Sequence, residues 1–170
     1  MQLTAPHAQF EQSYRDYIQE LGDEERYPYP MDLPFDDFAV FVSTLKGYDK
    51  GIKLPHNLVP NSTYWLISNN EIVGCSHLRH HLNAALEHAG GHIGLGIRPR
   101  YRNKGLSTIL LRQTLDKARE KGIDDVHIHC YADNLASKRM IEACGAKLHS
   151  QVFLSEHSKT VLRYIKLNPG

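Results

Sequence analysis

Four basic side chains at alternate positions, Arg98, Arg100, Arg102 and Lys104, precede Gly105 in the stretch IRPRYRNKGLSTILL. A short apolar run from His92 to Ile97 leads into them, and a segment with helical apolar spacing follows from Leu106. A strand that ends in a basic, glycine-containing turn and feeds a helix can hold phosphate. The first N–H groups of the helix have no intrahelical acceptor, and the helix dipole adds positive potential at that end. Arg102, Asn103, Lys104, Gly105, Leu106 and Ser107 would present consecutive N–H groups to an anion, with Gly105 letting the backbone come close. An ordinary strand–helix turn with solvated arginines would carry the same letters.

The 11 histidines raise the question of a metal. His127 and His129 share one face of a strand pattern, and His77, His80 and His81 form a second group. Spacing assigns no third ligand to His127 and His129, which read as a sheet-surface pair, and no metal is expected. Cys75, Cys130 and Cys144 are odd in number and lack CxxC spacing, which reads as reduced thiols in a cytosolic protein. Cys144 reads as a core thiol, since no base is placed beside it.

These residues need a scaffold, and 170 residues suffice for one domain with a sizeable core. Lys plus Arg (20) nearly cancel Asp plus Glu (19), so no global field draws the chain to nucleic acid or to a membrane surface. No apolar run approaches the ~20 residues of a membrane span. The N-terminus MQLTAPHAQFEQ lacks the pattern of a signal peptide, so a cytoplasmic protein is expected.

Along the chain, QLTA suggests a first strand, and helical spacing runs from Ala8 to Leu21. A proline-rich loop leads to a second helix over Phe38 to Leu45, capped by Asp36 or Asp37. TYWLIS and IVGCSHLRH flank Asn69-Asn70 as a hairpin, and a short helix or irregular link closes on Gly90-Gly91. Gly94 and Gly96 within the strand His92 to Ile97 suggest a bulge or a close backbone approach. A helix over Leu106 to Glu120 buries Leu106, Ile109, Leu110, Thr114, Leu115 and Ala118. A strand over Asp125 to Tyr131, a helix from Asp133 or Asn134 to Cys144, and a final strand pair complete the chain. The order predicts an α/β or α+β fold in one domain, with residues 1–62 helical and loop-rich and residues 63–167 carrying the sheet and core.

IRPRYRNKGLSTILL resembles the acyl-CoA binding motif of the GCN5-related N-acetyltransferase (GNAT) superfamily, Arg/Gln-x-x-Gly-x-Gly/Ala, on Arg102 to Ser107. CYADNLASKRMIEACGAKL resembles its second signature, with Asn134, Ser137 and Gly145 in the matching places. IVGCSHLRHHLN, GGHIG and LRYIKL are similar to an uncharacterised predicted-acetyltransferase branch. The resemblance spans roughly Tyr64 to Leu167. It implies a mixed, mostly antiparallel twisted sheet of six to seven strands flanked by about four helices.

The resemblance also implies acetyl-CoA as co-substrate, no metal, an amine acceptor, and direct acetyl transfer without a covalent intermediate. Pantetheine would lie along His92 to Ile97, with backbone groups of Leu95, Gly96 and Ile97 positioning the thioester. Asn134 would hydrogen-bond the pantetheine arm or the helix–strand junction and Ser137 would reach the thiol or phosphate side, or the two would simply cap and decorate a helix. Pairing of two copies through the C-terminal strands stays open.

Two positions depart from the motifs. Ser107 replaces Gly or Ala, and Ile141 stands where many members carry a general-acid Tyr. Tyr131 and Tyr164 are the substitutes considered for that acid, with core packing as the alternative for both. His92 is the candidate base, or else packs against the hairpin, with Glu71 and Glu87 as weaker alternatives. Arg79, His80, His81 and Asn83 are candidates to line the acceptor site. The missing Tyr keeps a non-catalytic CoA-binding regulatory module as the alternative to an enzyme.

Overall fold

The computed structural model describes residues 1–168. Its elements run β1 (Gln2–Thr4), α1 (Glu11–Leu21), α2 (Phe38–Asp49), β2 (Asn61–Ser68), β3 (Glu71–Arg79) and α3 (Ala84–His88). Then follow β4 (Ile93–Ile97), α4 (Leu106–Glu120), β5 (Asp125–Tyr131), α5 (Leu135–Ala143), β6 (Lys147–Leu154) and β7 (Lys159–Leu167). Asp37 caps α2 by accepting the Val40 N–H at 3.1 Å. That helix runs one turn past the expected Leu45, because Tyr48 continues the buried face that Leu45 begins.

The expected, mostly antiparallel arrangement of strands flanked by helices is present, its seven strands divided into two antiparallel sheets ordered β1-β2-β3-β4 and β5-β7-β6. They meet at an isolated bridge between Gly91 and Ile128. The last hairpin places β7 between β5 and β6, which leaves β6 at an edge.

Register decides what each face of the first sheet carries. Thr63 lies opposite His77, Trp65 opposite Cys75, Cys75 opposite Gly96 and His77 opposite Gly94. With side chains alternating along each strand, Thr63, Trp65, Cys75, His77, Arg79, Gly94 and Gly96 share one face. α1 and α2 cover much of it, packing Tyr14, Tyr17, Phe38 and Phe41 against Trp65 and Cys75. The other face meets α4 and α5 through Leu78, Ile93, Leu111, Leu115 and Ile141.

Helix α4 buries Leu106, Leu110, Leu111, Thr114, Leu115 and Ala118. Leu111 takes the place expected of Ile109, which is only partly buried. Each such leucine contributes about 1.5–3 kcal/mol by leaving water. That seat fixes where the turn before α4 points.

Candidate functional site

β4 has one bonded edge and one open edge. The Arg79 N–H donates to His92 O at 2.8 Å and the Arg98 N–H to Val73 O at 3.0 Å. Even-numbered residues of β4 therefore exchange hydrogen bonds with β3, and the backbone groups of Ile93, Leu95 and Ile97 point the other way, toward β5. The two strands touch at the base, where the His92 N–H donates to His127 O at 2.7 Å. From Ile93 to Ile97 no backbone hydrogen bond joins β4 to β5 among the described residues. The result is a gap lined on one side by unpaired N–H groups. Leu95 and Ile97, two of the residues expected to position the thioester, lie on this edge, although Ile97 O already accepts from Arg102 Nε at 3.0 Å. Gly96 does not contribute, because its backbone is turned to β3.

At the far end of β4 the chain turns into α4. Asn103 and Gly105 both have positive φ, 60° and 73°. The N–H groups of Asn103, Lys104 and Gly105 have no protein acceptor and lie in exposed residues. The first turn of α4, with Leu106 buried and Ser107 partly so, adds further unpaired N–H groups. This run of donors at a helix start fits a pyrophosphate.

The basic side chains around the turn behave differently from the sequence expectation. Arg98 is 1% exposed and forks onto Glu20 Oε1 at 2.6 and 2.8 Å, which ties the end of β4 to α1. Arg100 pairs with Glu71 at 2.9 Å and Arg102 with Glu24 at 2.8 Å. The Arg102 guanidinium holds the Glu24 carboxyl below its usual range, and the Tyr101 hydroxyl does the same for Glu71. Of the four basic residues, Lys104 alone has no carboxylate partner, its Nζ lying 5.3 Å from the centre of the Tyr101 ring. The positive character of this turn comes from backbone donors more than from arginines.

The base of the gap is built from histidines. His92 Nδ1 accepts the His127 N–H at 2.9 Å, and His129 Nδ1 accepts the Gly90 N–H at 3.0 Å. Each ring is thereby fixed as the neutral tautomer with its proton on Nε2. Burial first, then the neighbouring His127 imidazole, pushes both down to about 4. In this tautomer the His92 lone pair is already used and Nε2 is a donor, an arrangement that does not suit the general base expected of it. Rings 92 and 127 lie 5.6 Å apart and rings 127 and 129 lie 6.1 Å apart. No group of three metal-ligating side chains occurs among the described residues.

Gly94 and Gly96 mark a close approach and not a bulge. A Cβ on Gly94 would meet the Tyr27 hydroxyl at 2.7 Å, and one on Gly96 the Tyr27 carbonyl at 2.6 Å. The loop between α1 and α2 thus lies across β4. Tyr27 was not found from the sequence, where the two glycines were its only local signal. Although the Tyr27 side chain is 48% exposed, its hydroxyl packs on Gly94, and desolvation there raises it above its ordinary value, so it carries its proton.

The remaining candidates scatter. Asn134 caps α5, its Oδ1 accepting the Ser137 N–H at 3.1 Å, and Ser137 is partly buried one turn in. Ile141 is 1% exposed in the core. Tyr164 is equally buried and donates to Glu142 at 2.9 Å, with burial raising its hydroxyl to about 12, so it faces packing and not the gap. Tyr131 is 41% exposed at the end of β5. Asn83 caps α3, His80 bonds Ser62 at 2.7 Å and His81 is exposed, while Arg79 turns to the gap, donating to Gly91 O at 3.0 Å. Glu71 is held by Tyr101 and Arg100 beside the far turn, and Glu87 is exposed in α3.

The model of the acetyltransferase (GNAT) family matches residues 11–146. An acetyltransferase from Salmonella typhimurium that modifies the N-terminal serine of ribosomal protein L7/L12 superposes with a TM-score of 0.68 at 15% identity, over 98% of this chain and 94% of that one. A GNAT-family acetyltransferase from Streptococcus pneumoniae gives 0.65 at 17%, over 98% and 99%. The dodecameric spermidine N-acetyltransferase of Vibrio cholerae gives 0.64 at 15%, over 98% and 92%. No curated protein matches the chain.

Proposed function

The chain belongs to the GNAT acetyltransferase family, and we propose that it transfers an acetyl group from acetyl-CoA directly to a primary amine. The observation that carries this reading is the gap beside β4, whose unpaired N–H groups run toward a helix-start turn rich in free donors. Asn103, Lys104, Gly105 and the first turn of α4 take the pyrophosphate, with Arg102 bracing the turn from Ile97 O. The Leu95 N–H donates to the thioester carbonyl and stabilises the oxyanion as the amine attacks. A C–N bond forms as the C–S bond breaks, and CoA leaves as a thiolate that takes up a proton. With Ile141 buried, the protonated Tyr27 hydroxyl at Gly94 is the group that supplies this proton, and the phenolate regains one through water as the acylated nitrogen sheds its extra proton to become an amide. The His92 Nε2–H orients the acceptor, and the ammonium of the acceptor loses its proton to water.

Spermidine and a protein N-terminal serine, the acceptors of two structural neighbours, are both amines, which supports the acceptor class. Three free cysteines and the absence of a helix long and apolar enough to cross a membrane among the described residues agree with a cytoplasmic setting.

Two measurements test the reading. Acetyl-CoA at 100 times its dissociation constant should stabilise the protein by about 2.7 kcal/mol, visible as a rise in Tm. A screen of amines should release CoA thiol. No rise in Tm would remove the central claim, and a rise without thiol release from any amine would leave a binding module.

A further inference from the structure

The face of the sheets that looks toward Tyr27 gathers donors and cations. Arg79 stands there on β3, and Arg163 lies opposite His129 in the β5–β7 ladder, on the same face. Neither arginine has a carboxylate within ion-pair distance among the described residues, although Arg98, Arg100 and Arg102 all do. Arg79 uses only Nη1, on Gly90 O at 3.4 Å and Gly91 O at 3.0 Å, which leaves Nε and Nη2 unbonded. Its neighbours are Tyr27, His77, His92 and His129. The single carboxylate acting on any of them is the exposed Glu25, beside Tyr27.

Two of these neighbours carry unanswered polar atoms. His129 Nε2, fixed as a donor, is buried with no partner. His77 is 2% exposed and both its ring nitrogens lack one. A half-buried guanidinium with two free nitrogens, beside buried imidazole nitrogens that lack partners, is unfavourable unless an anion completes them. A second ammonium, as in a polyamine, would meet only repulsion there.

We propose that the acceptor carries a carboxylate as well as its amine, and that Arg79, flanked by the His92 and His129 Nε2–H donors, binds that carboxylate. The planar fork of Arg79 suits two carboxylate oxygens. The inference rests on the N-acetyltransferase reading and narrows its acceptor to amino acids and related amino-carboxylates.

The test uses product-like probes with the CoA-loaded protein, so it needs no turnover. N-acetylglycine, N-acetyl-leucine, N-acetylglutamate and N-acetyl-lysine are compared with their carboxamides and with N-acetylspermidine by calorimetry. At least one acid should bind about 100-fold more tightly than its amide, the loss expected when a charge-assisted pair is broken. Arg79→Gln should remove that preference, and Arg79→Lys, which keeps the charge without the planar fork, should retain only part of it and serves alone should the first fail to fold. Equal binding of acid and amide, preference for N-acetylspermidine, or no binding by any probe would overturn the carboxylate. Those results leave the acetyltransferase reading standing while acetyl-CoA still raises Tm and some amine still releases thiol.

Discussion

A histidine whose Nδ1 accepts a backbone N–H cannot take a proton there without losing that bond. His92 is in this position, and burial beside His127 lowers it to about 4. Above pH 5 it is neutral in the folded protein, so it should add no limb to the pH–rate profile near 6.5. His92→Ala should lower kcat about tenfold, the loss of one oriented donor, and leave the shape of log(kcat/KM) against pH unchanged. The acidic limb that remains belongs to deprotonation of the amine. Tyr27→Phe should lower kcat with little change in KM for acetyl-CoA, because its hydroxyl acts on the leaving thiolate and not on the pyrophosphate. A profile whose acidic limb disappears in His92→Ala would restore that residue as the base and sink its assignment as a donor.

Among the elements, the turn into α4 depends most on one backbone conformation. Gly105 sits at φ 73° with nothing within 4 Å of the position a Cβ would take. A side chain there has room in the protein but projects where the pyrophosphate lies, and positive φ adds about 1–2 kcal/mol. Gly105→Trp should therefore fold, with that modest loss of stability, and show no heat of CoA binding in calorimetry; unchanged affinity would mean the phosphate lies elsewhere.

This turn and the helix after it were legible in the sequence because their signals are local: a 3.6-residue apolar period, a glycine and a strand before it. The partners of the arginines were not legible. Glu20 and Glu24 lie 78 residues from Arg98 and Arg102, and no spacing rule reaches across that distance. Three of the four basic residues, read as one phosphate cluster, instead fasten the turn to α1, to the loop after it and to the β2–β3 hairpin. The landing of the Tyr27 loop on β4 left only the trace of Gly94 and Gly96, whose missing side chains make room for it. The split into two sheets left no trace at all, since it depends on which strand edges stay unpaired.

For the molecule as a whole, the seam between the two sheets carries a pH liability. His92 and His129 at the seam are lowered to about 4, and His77 beside them to about 3, burial being the first cause for all three. Their value in the unfolded chain is about 6.5. As pH falls below 6.5 the unfolded chain binds protons that the folded one refuses, so stability is full above that pH and is lost on the way down to the folded values. The paired carboxylates Glu24, Glu71 and Asp133 are also lowered, but they add their losses only below their ordinary range, near 4.5. Between about pH 6.5 and 4.5 the decline therefore belongs to histidines. His77, only 2% exposed, should contribute about 1.4 kcal/mol per pH unit in that window. Urea unfolding at pH 7.0, 6.0 and 5.0 should show the midpoint falling at each step, and His77→Phe should flatten the slope by about one proton. A midpoint that stays level from pH 7 to 5 would mean these imidazoles accept protons in place, and the seam would then open to water in the folded protein.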